Sequence, residues 1–194
     1  MPQLDRRRNL FVPVEYESTE RLDHPPLEDR VTLVLITDGK ADILLNGAPV
    51  TLHAPCVMCL SRSDRIIVIE NSLMSAQSFS LSPAFMKSRT TFRQLKGSGG
   101  EAGGEQDTLM LFYARDARYD GVLSLPGYVY LNVFEWMSVI GTEISAQSDG
   151  RWTCRIRRYL LSILNTLDEL YEAGKSEISE NTPVDTVLKY IHTH

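Results

Sequence analysis

The feature that most constrains this chain is a change of hydrophobic period part-way along it. From Arg30 to Ser82 the apolar residues come in short runs, VTLVLIT, ADILLNG, CVMCL, RIIVIE and AQSFSLS, separated by Asp-Gly, Asn-Gly, Ser-Asp and Asn-Ser punctuation. Past Gly150 the period becomes helical: Trp152, Ile156, Tyr159, Leu160, Ile163, Leu164, Leu167, Leu170 and Tyr171 recur over about six turns at ~3.6 residues per turn. A chain with both periods in sequence is predicted to be α+β, mainly β: a small β-barrel or sandwich followed by an antiparallel pair of amphipathic helices.

Within the β half, Asp38-Gly39 is expected to join two strands in a tight turn, and Asn46-Gly47 a second pair, because glycine accepts the positive φ of such hairpins. The segment RLDHPPLED reads as a loop or sheet edge, since proline removes ladder donors. Ser82-Pro83 opens a short helix through Leu95, and GSGGEAGGEQD reads as a flexible loop. TLMLFY is expected to resume a strand. GVLSLP then leads into a helix beginning near Gly127, with Val129, Val133, Trp136, Met137, Ile140 and Ile144 on its packing face.

The stripe from Trp152 to Tyr171 is wider than one neighbouring helix needs. Trp152, Ile156, Tyr159, Leu160, Ile163, Leu164 and Leu167 are therefore expected at a twofold dimer interface, the alternative being a helix pair within one chain. Arg151, Arg155 and Arg158 share a helical face, expected to be solvated or salt-bridged rather than set against phosphate. Arg6, Arg7 and Arg8 make a basic arm, expected to be a terminus without fixed structure.

Composition narrows the function classes. The 194 residues carry a formal net charge of −5, which does not suit a surface that grips phosphates over its whole extent. The N-terminus has no apolar stretch of signal-peptide length, and no window approaches the ~20 apolar residues of a membrane span, so a cytoplasmic location without membrane contact is expected. Cys56, Cys59 and Cys154 are too few and odd in number for a secreted disulfide framework. On a strand, residues i and i+3 face opposite sides, so the two sulfurs of CVMC do not chelate together and read as small buried hydrophobes.

Enzyme signatures are weak. There is no Gly-x-Ser-x-Gly elbow, phosphate loop or dinucleotide fingerprint. The histidines His24, His53, His192 and His194 lack the strand-borne pattern of an open imidazole and carboxylate metal site. No catalytic residue, metal ligand or cofactor is expected.

The last twelve residues, PVDTVLKYIHTH, begin a capped amphipathic helix: Thr182 caps, Pro183 suits the first position, and Val184, Val187, Leu188 and Ile191 form a stripe. That helix either packs back on the body or opens a further domain, and the second is expected. With Tyr190 and His194, it resembles the opening of the DNA-binding half of AraC-type transcriptional regulators. The stretch DGKADILLNGAPVTLHAP followed by CVMCLSRSD resembles that family's cupin-like sensor segment. The resemblance implies a cupin-like sensor with its N-terminal arm over residues 1–125, a helical dimerisation segment over 126–175, and a linker and domain start over 176–194. It implies a homodimer that meets a small-molecule effector, and DNA only through helix-turn-helix units absent from this sequence. Tyr16, Arg30, Thr32 and Arg62, which flank or enter the predicted strands, are the candidate ligand-binding side chains. A stand-alone cupin-like enzyme and an inert dimerisation module are the alternatives.

Overall fold

The computed structural model describes residues 2–22, 29–86, 109–116 and 119–180. The helix expected through Leu95 is described only to Met86; the glycine-rich loop, His24 and the capped helix from Thr182 lie outside these residues. The protein is α+β and mainly β. An N-terminal hairpin pairs β1 (Gln3–Asp5) with β2 (Leu10–Val12). The main sheet is antiparallel and built from β3 (Val14–Glu17), β4 (Val31–Leu45), β5 (Ala48–His53), β6 (Cys56–Leu60), β7 (Ile66–Leu81) and β8 (Val122–Ser124). Its order is β3-β7-β4-β6-β8, with β5 pairing the far half of β4. Among the described residues no strand pair closes it, so the expected barrel is an open, bent sheet.

Asp38-Gly39 is not a hairpin. Both β4 and its partner β7 run straight through the Asp-Gly and Asn-Ser punctuation, with register shifts between Ile36 and Asp38 and between Asp38 and Lys40. The physical reason is visible in the parity of the apolar residues. Val34 and Ile36 are even-numbered, Ala41, Ile43 and Leu45 are odd, and all five belong to one buried cluster. An inserted residue is what keeps an apolar face inward across such a switch, because each single step along a strand reverses the side chain. Gly39, at φ +78°, supplies the backbone angle, and a Cβ there would lie 2.5 Å from the Leu73 carbonyl oxygen. The Asn46-Gly47 expectation holds: both residues have positive φ, and Leu45 pairs with Ala48 around a two-residue turn.

The bend gives the sheet two different faces. Its inner face, toward which both halves of β4 turn, holds Leu22, Val34, Ile36, Ile43, Leu52, Cys56 and Met58. Its outer face, with Leu33, Leu35, Val57, Phe79 and Leu81, packs against the helices. Cys56 and Cys59 accordingly lie in different clusters, on opposite faces, as the strand geometry requires.

The helices are α1 (Pro83–Met86), α2 (Met110–Tyr113), α3 (Gly127–Ala146) and α4 (Trp152–Glu180). The run TLMLFY therefore corrects from strand to a single helical turn. Its carbonyls need no ladder: the Ala114 amide donates to Met110 O at 2.8 Å, and Tyr119 Oη donates to Leu111 O at 2.8 Å. α3 begins where expected and buries Val129, Val133, Met137, Ile140 and Ile144.

The stripe on α4 has a use within the chain. Trp152, Ile156, Leu160, Ile163 and Leu167 are fully buried and Leu164 nearly so, all in the cluster shared with the sheet and α3; Tyr159 packs at its margin. These seven residues therefore face the chain's own core, which corrects their expected place at a dimer interface. The stripe is wide because α4 meets the sheet and α1 as well as α3; Arg157 lies 4.4 Å over the Phe85 ring and donates to Phe85 O at 2.9 Å. Arg155 clamps α4 to α3, with Nε donating to Glu143 at 2.6 Å and Nη1 to Asp149 at 2.9 Å, as expected of a salt-bridged face.

Candidate functional site

The inner face of the sheet changes character along its length. Along most of β4 and over β5 and β6 it is apolar, but where the start of β4 and the end of β7 lie beside β3 it is polar. The registers Glu15 with Ser80 and Thr32 with Ser80 set three side chains of adjacent strands on one line. Thr32 and Ser80 share a hydroxyl hydrogen bond of 2.8 Å. One rung along, Ser78 donates to Glu20 at 2.7 Å. Arg30, only 11% exposed in its side chain, donates to Glu15 at 3.1 Å. Ser78 and Ser80 are buried. A guanidinium, three hydroxyls and two carboxylates thus converge beside an apolar floor of Val34, Met58 and Leu60. Such a juxtaposition suits a ligand with an apolar body and a polar or anionic end.

Of the four side chains expected to bind a ligand, the structure brings Arg30 and Thr32 together here. Arg62 sits apart, exposed and paired with Asp29 at 2.9 Å. Tyr16 points the other way, because it pairs in register with Phe79 and shares that residue's outer face. Its hydroxyl donates to Gln77 Oε1 at 2.6 Å, its ring lies against Gly141 of α3, and burial together with the nearby Glu17 charge raises its pKa. Sequence reading missed Glu15, Glu20, Ser78 and Ser80. The signal was there in AQSFSLS, where serines alternate with Gln, Phe and Leu, placing hydroxyls on a face that the rest of the strand makes apolar.

Tyr16 lines a second feature, an open cleft of about 650 Å³ between β3 and α3, bounded by Tyr16, Glu17, Ser18, Ser138, Gly141, Thr142, Ser145 and Ala146.

The N-terminal arm is ordered, which corrects the expectation of an unstructured terminus. It docks on the turn between α3 and α4. Gln147, in the left-handed conformation that ends α3, accepts from the Arg6 amide at 2.9 Å and donates to Leu4 O at 2.8 Å, imitating a neighbouring strand's peptide. Arg7 and Arg8 donate to the carbonyls of Ser148 and Gly150. Asp5, buried, accepts from the amides of Arg7 and Arg8 and from Trp152 Nε1. Burial alone would raise its pKa, but these hydrogen bonds and the Arg8 charge outweigh it and lower the value.

The two buried cysteines, Cys56 and Cys59, do not offer reactive thiolates. Burial pushes Cys59 up to about 12 and Cys56 up to about 11, and the thiolate is the form that attacks or ligates. His53 is exposed at the end of β5. Among the described residues, no group of three or more His, Cys, Asp or Glu side chains is placed to hold a metal. No described helix is long and apolar enough to cross a membrane.

No family model matches the chain, and no curated protein matches it. Among solved structures it is similar to a lysine-to-alanine variant of apo ToxT from Vibrio cholerae, at a TM-score of 0.45 and 13% identity. That similarity covers 82% of this chain and 56% of the other, so the chain spans little more than half of that protein's length.

Proposed function

We propose that this chain is the effector-sensing half of a cytoplasmic AraC-type transcriptional regulator. It binds a small amphipathic molecule on the inner face of its sheet and works as a homodimer, with DNA contacted by a separate helix-turn-helix unit. The sequence resemblance supplies the family. The observation that carries the sensing role is the Arg30, Thr32, Ser78 and Ser80 cluster at the polar end of an otherwise apolar interior. Polar groups placed on an otherwise apolar face are expensive unless they are hydrogen-bonded; here they are paired with one another, and a ligand can exchange those internal pairs for its own polar end.

A route from this site to the helices supports an allosteric reading. Arg30 is paired with Glu15 on β3, Pro13 joins β3 to β2, and the β1-β2 arm is bonded to the α3-α4 turn. A ligand competing for Arg30 would release Glu15 and shift β3, and with it the arm. Such coupling requires the ligand to favour one arm position over another. The raised pKa values of the two buried thiols, Cys56 and Cys59, support a binding role over thiol catalysis at those positions.

The test is equilibrium binding of an apolar anion, 8-anilinonaphthalene-1-sulfonate, to the native protein and to Arg30→Gln. A charged hydrogen bond is worth about 1.5–3 kcal/mol, so the variant should bind roughly tenfold or more weakly while melting as a folded protein. Equal binding by both would remove the inner face as the site.

A further inference from the structure

The stretch that continues β3, residues 18–22, lies against the polar end of the inner face. β3 pairs with β7 from Val14–Leu81 to Glu17–Ser78, and there the regular pairing stops although β7 extends back to Ile66. Beyond it, the Glu20 amide donates to Ala76 O at 2.8 Å, and Ser78 Oγ donates to the Glu20 carboxylate at 2.7 Å. The other oxygen of that carboxylate accepts from the amides of Arg21 and Leu22 at 2.9 and 2.8 Å. These bonds curl the chain, and Leu22, 4% exposed, joins the inner apolar cluster with Val34, Ile36 and Met58.

Leu22 reaches that place with a left-handed backbone, at φ +61°. For a bulky residue this conformation is strained, and strain of this kind gathers at ligand clamps and switches. A carboxylate on Ser78 and an apolar side chain in the inner cluster are also the two parts of an amphipathic anion. We propose that residues 18–22 are a built-in occupant of the ligand site. Leu22 holds the place of the ligand's apolar body, Glu20 holds that of its anionic end, and the ligand binds by displacing both. Burial of Leu22 favours the closed strap and its left-handed backbone opposes it, so the strap is held weakly. An anion with an apolar body larger than a leucine side chain, its charge placed on Ser78 and Arg30, competes successfully. The strap lowers the apparent affinity by the fraction of chains in which it is open. Because the strap continues β3, whose other end meets the arm through Pro13, its release pulls on the same strand that leads to the arm.

This inference rests on the inner-face site of the preceding reading. Leu22→Gly removes the apolar plug and keeps the left-handed backbone, which glycine adopts without strain. With folding verified by a cooperative melt, the variant should bind 8-anilinonaphthalene-1-sulfonate roughly tenfold or more tightly than the native chain. Adding Arg30→Gln to Leu22→Gly should abolish that gain. Equal or weaker binding by Leu22→Gly, where native binding still depends on Arg30, overturns the strap alone. Binding indifferent to Arg30 in both backgrounds overturns the inner-face site and the strap together. The native chain gives a second readout that needs no variant. Saturating probe should accelerate trypsin cleavage after Arg21 roughly tenfold relative to cleavage after the exposed Arg62, because proteolysis tracks the open population. Unchanged or slower cleavage after Arg21 overturns the displacement.

Discussion

Trp152 Nε1 donates a 3.2 Å hydrogen bond to the Asp5 carboxylate across 147 residues of chain. It ties the first strand of the arm to the first turn of α4, and both groups are buried. The same carboxylate also organises its own hairpin through the amides of Arg7 and Arg8. Because the folded-state pKa of Asp5 is lowered, its contribution is fully present above the unfolded value, ordinarily 3.8, and is lost as pH falls through the folded value. Asp64 behaves alike: burial raises its pKa, but hydrogen bonds from Asn46 and Ser61 and the Arg115 charge lower it overall. Thermal melts should therefore be flat from about pH 7 to 5 in these contributions and fall below pH 4. Asp5→Asn should melt lower at neutral pH and lose part of the acid sensitivity.

Gln147 offers a separate handle on the arm. Gln147→Gly keeps the left-handed end of α3, which glycine adopts freely, and deletes both side-chain bonds to the arm. Trypsin should cut after Arg6, Arg7 or Arg8 faster in this variant while the rest of the fold persists. Equal cleavage rates would mean that the arm is held elsewhere.

The buried pair of Asp64 and Arg115 locks α2 to the β6 end of the sheet. Arg115 Nη2 donates to Asp64 at 2.6 Å and to Cys59 O at 2.8 Å. Arg115→Met leaves the 4%-exposed Asp64 side chain without its cation. The expected loss is about 3 kcal/mol, the low end for breaking a buried pair, because Arg115 keeps some solvent contact. Chemical denaturation of the variant measures it.

Two glycines separate backbone strain from crowding. A Cβ at Gly47, where φ is +85°, would have nothing within 4 Å, whereas one at Gly39 would meet the Leu73 carbonyl. Gly47→Ala should cost about 1–2 kcal/mol for the left-handed conformation alone. Gly39→Ala should cost more, by about 1 kcal/mol or greater, since crowding adds to the same conformational cost. Denaturant midpoints of the two variants give the difference.

Leu160→Asp and Leu164→Asp discriminate core from interface on α4. Both side chains are buried in the single chain, so a charge there should abolish cooperative unfolding rather than yield a folded monomer. Near-ultraviolet circular dichroism and sedimentation together distinguish the two outcomes.

Much of the architecture is legible in the residues. Helical periods found α3 and α4 because their stripes are long, and Asn46-Gly47 found its turn because both residues take positive φ there. Asp38-Gly39 offers the same local chemistry, yet becomes a bulge because β7 continues alongside on the other strand. TLMLFY has strand-like composition, and its turn is held by the Ala114 amide on Met110 O and by Tyr119, from later in the chain, on Leu111 O. The wide stripe of α4 correctly announced two neighbours, but periodicity does not say that the second is the chain's own sheet. Arg30 and Thr32 were legible as a pair through their place at the start of β4. Tyr16 was not, since its face follows from the register with Phe79.

The most direct measurement is amide hydrogen exchange of the native chain with and without saturating 8-anilinonaphthalene-1-sulfonate. A sensor that binds on its inner face and signals through its arm should gain protection around residues 30–34 and 78–81, with changed exchange in the arm at 3–12 and in the turn at 147–151. Protection confined to other strands, or an arm that does not respond when the inner face is filled, would contradict it.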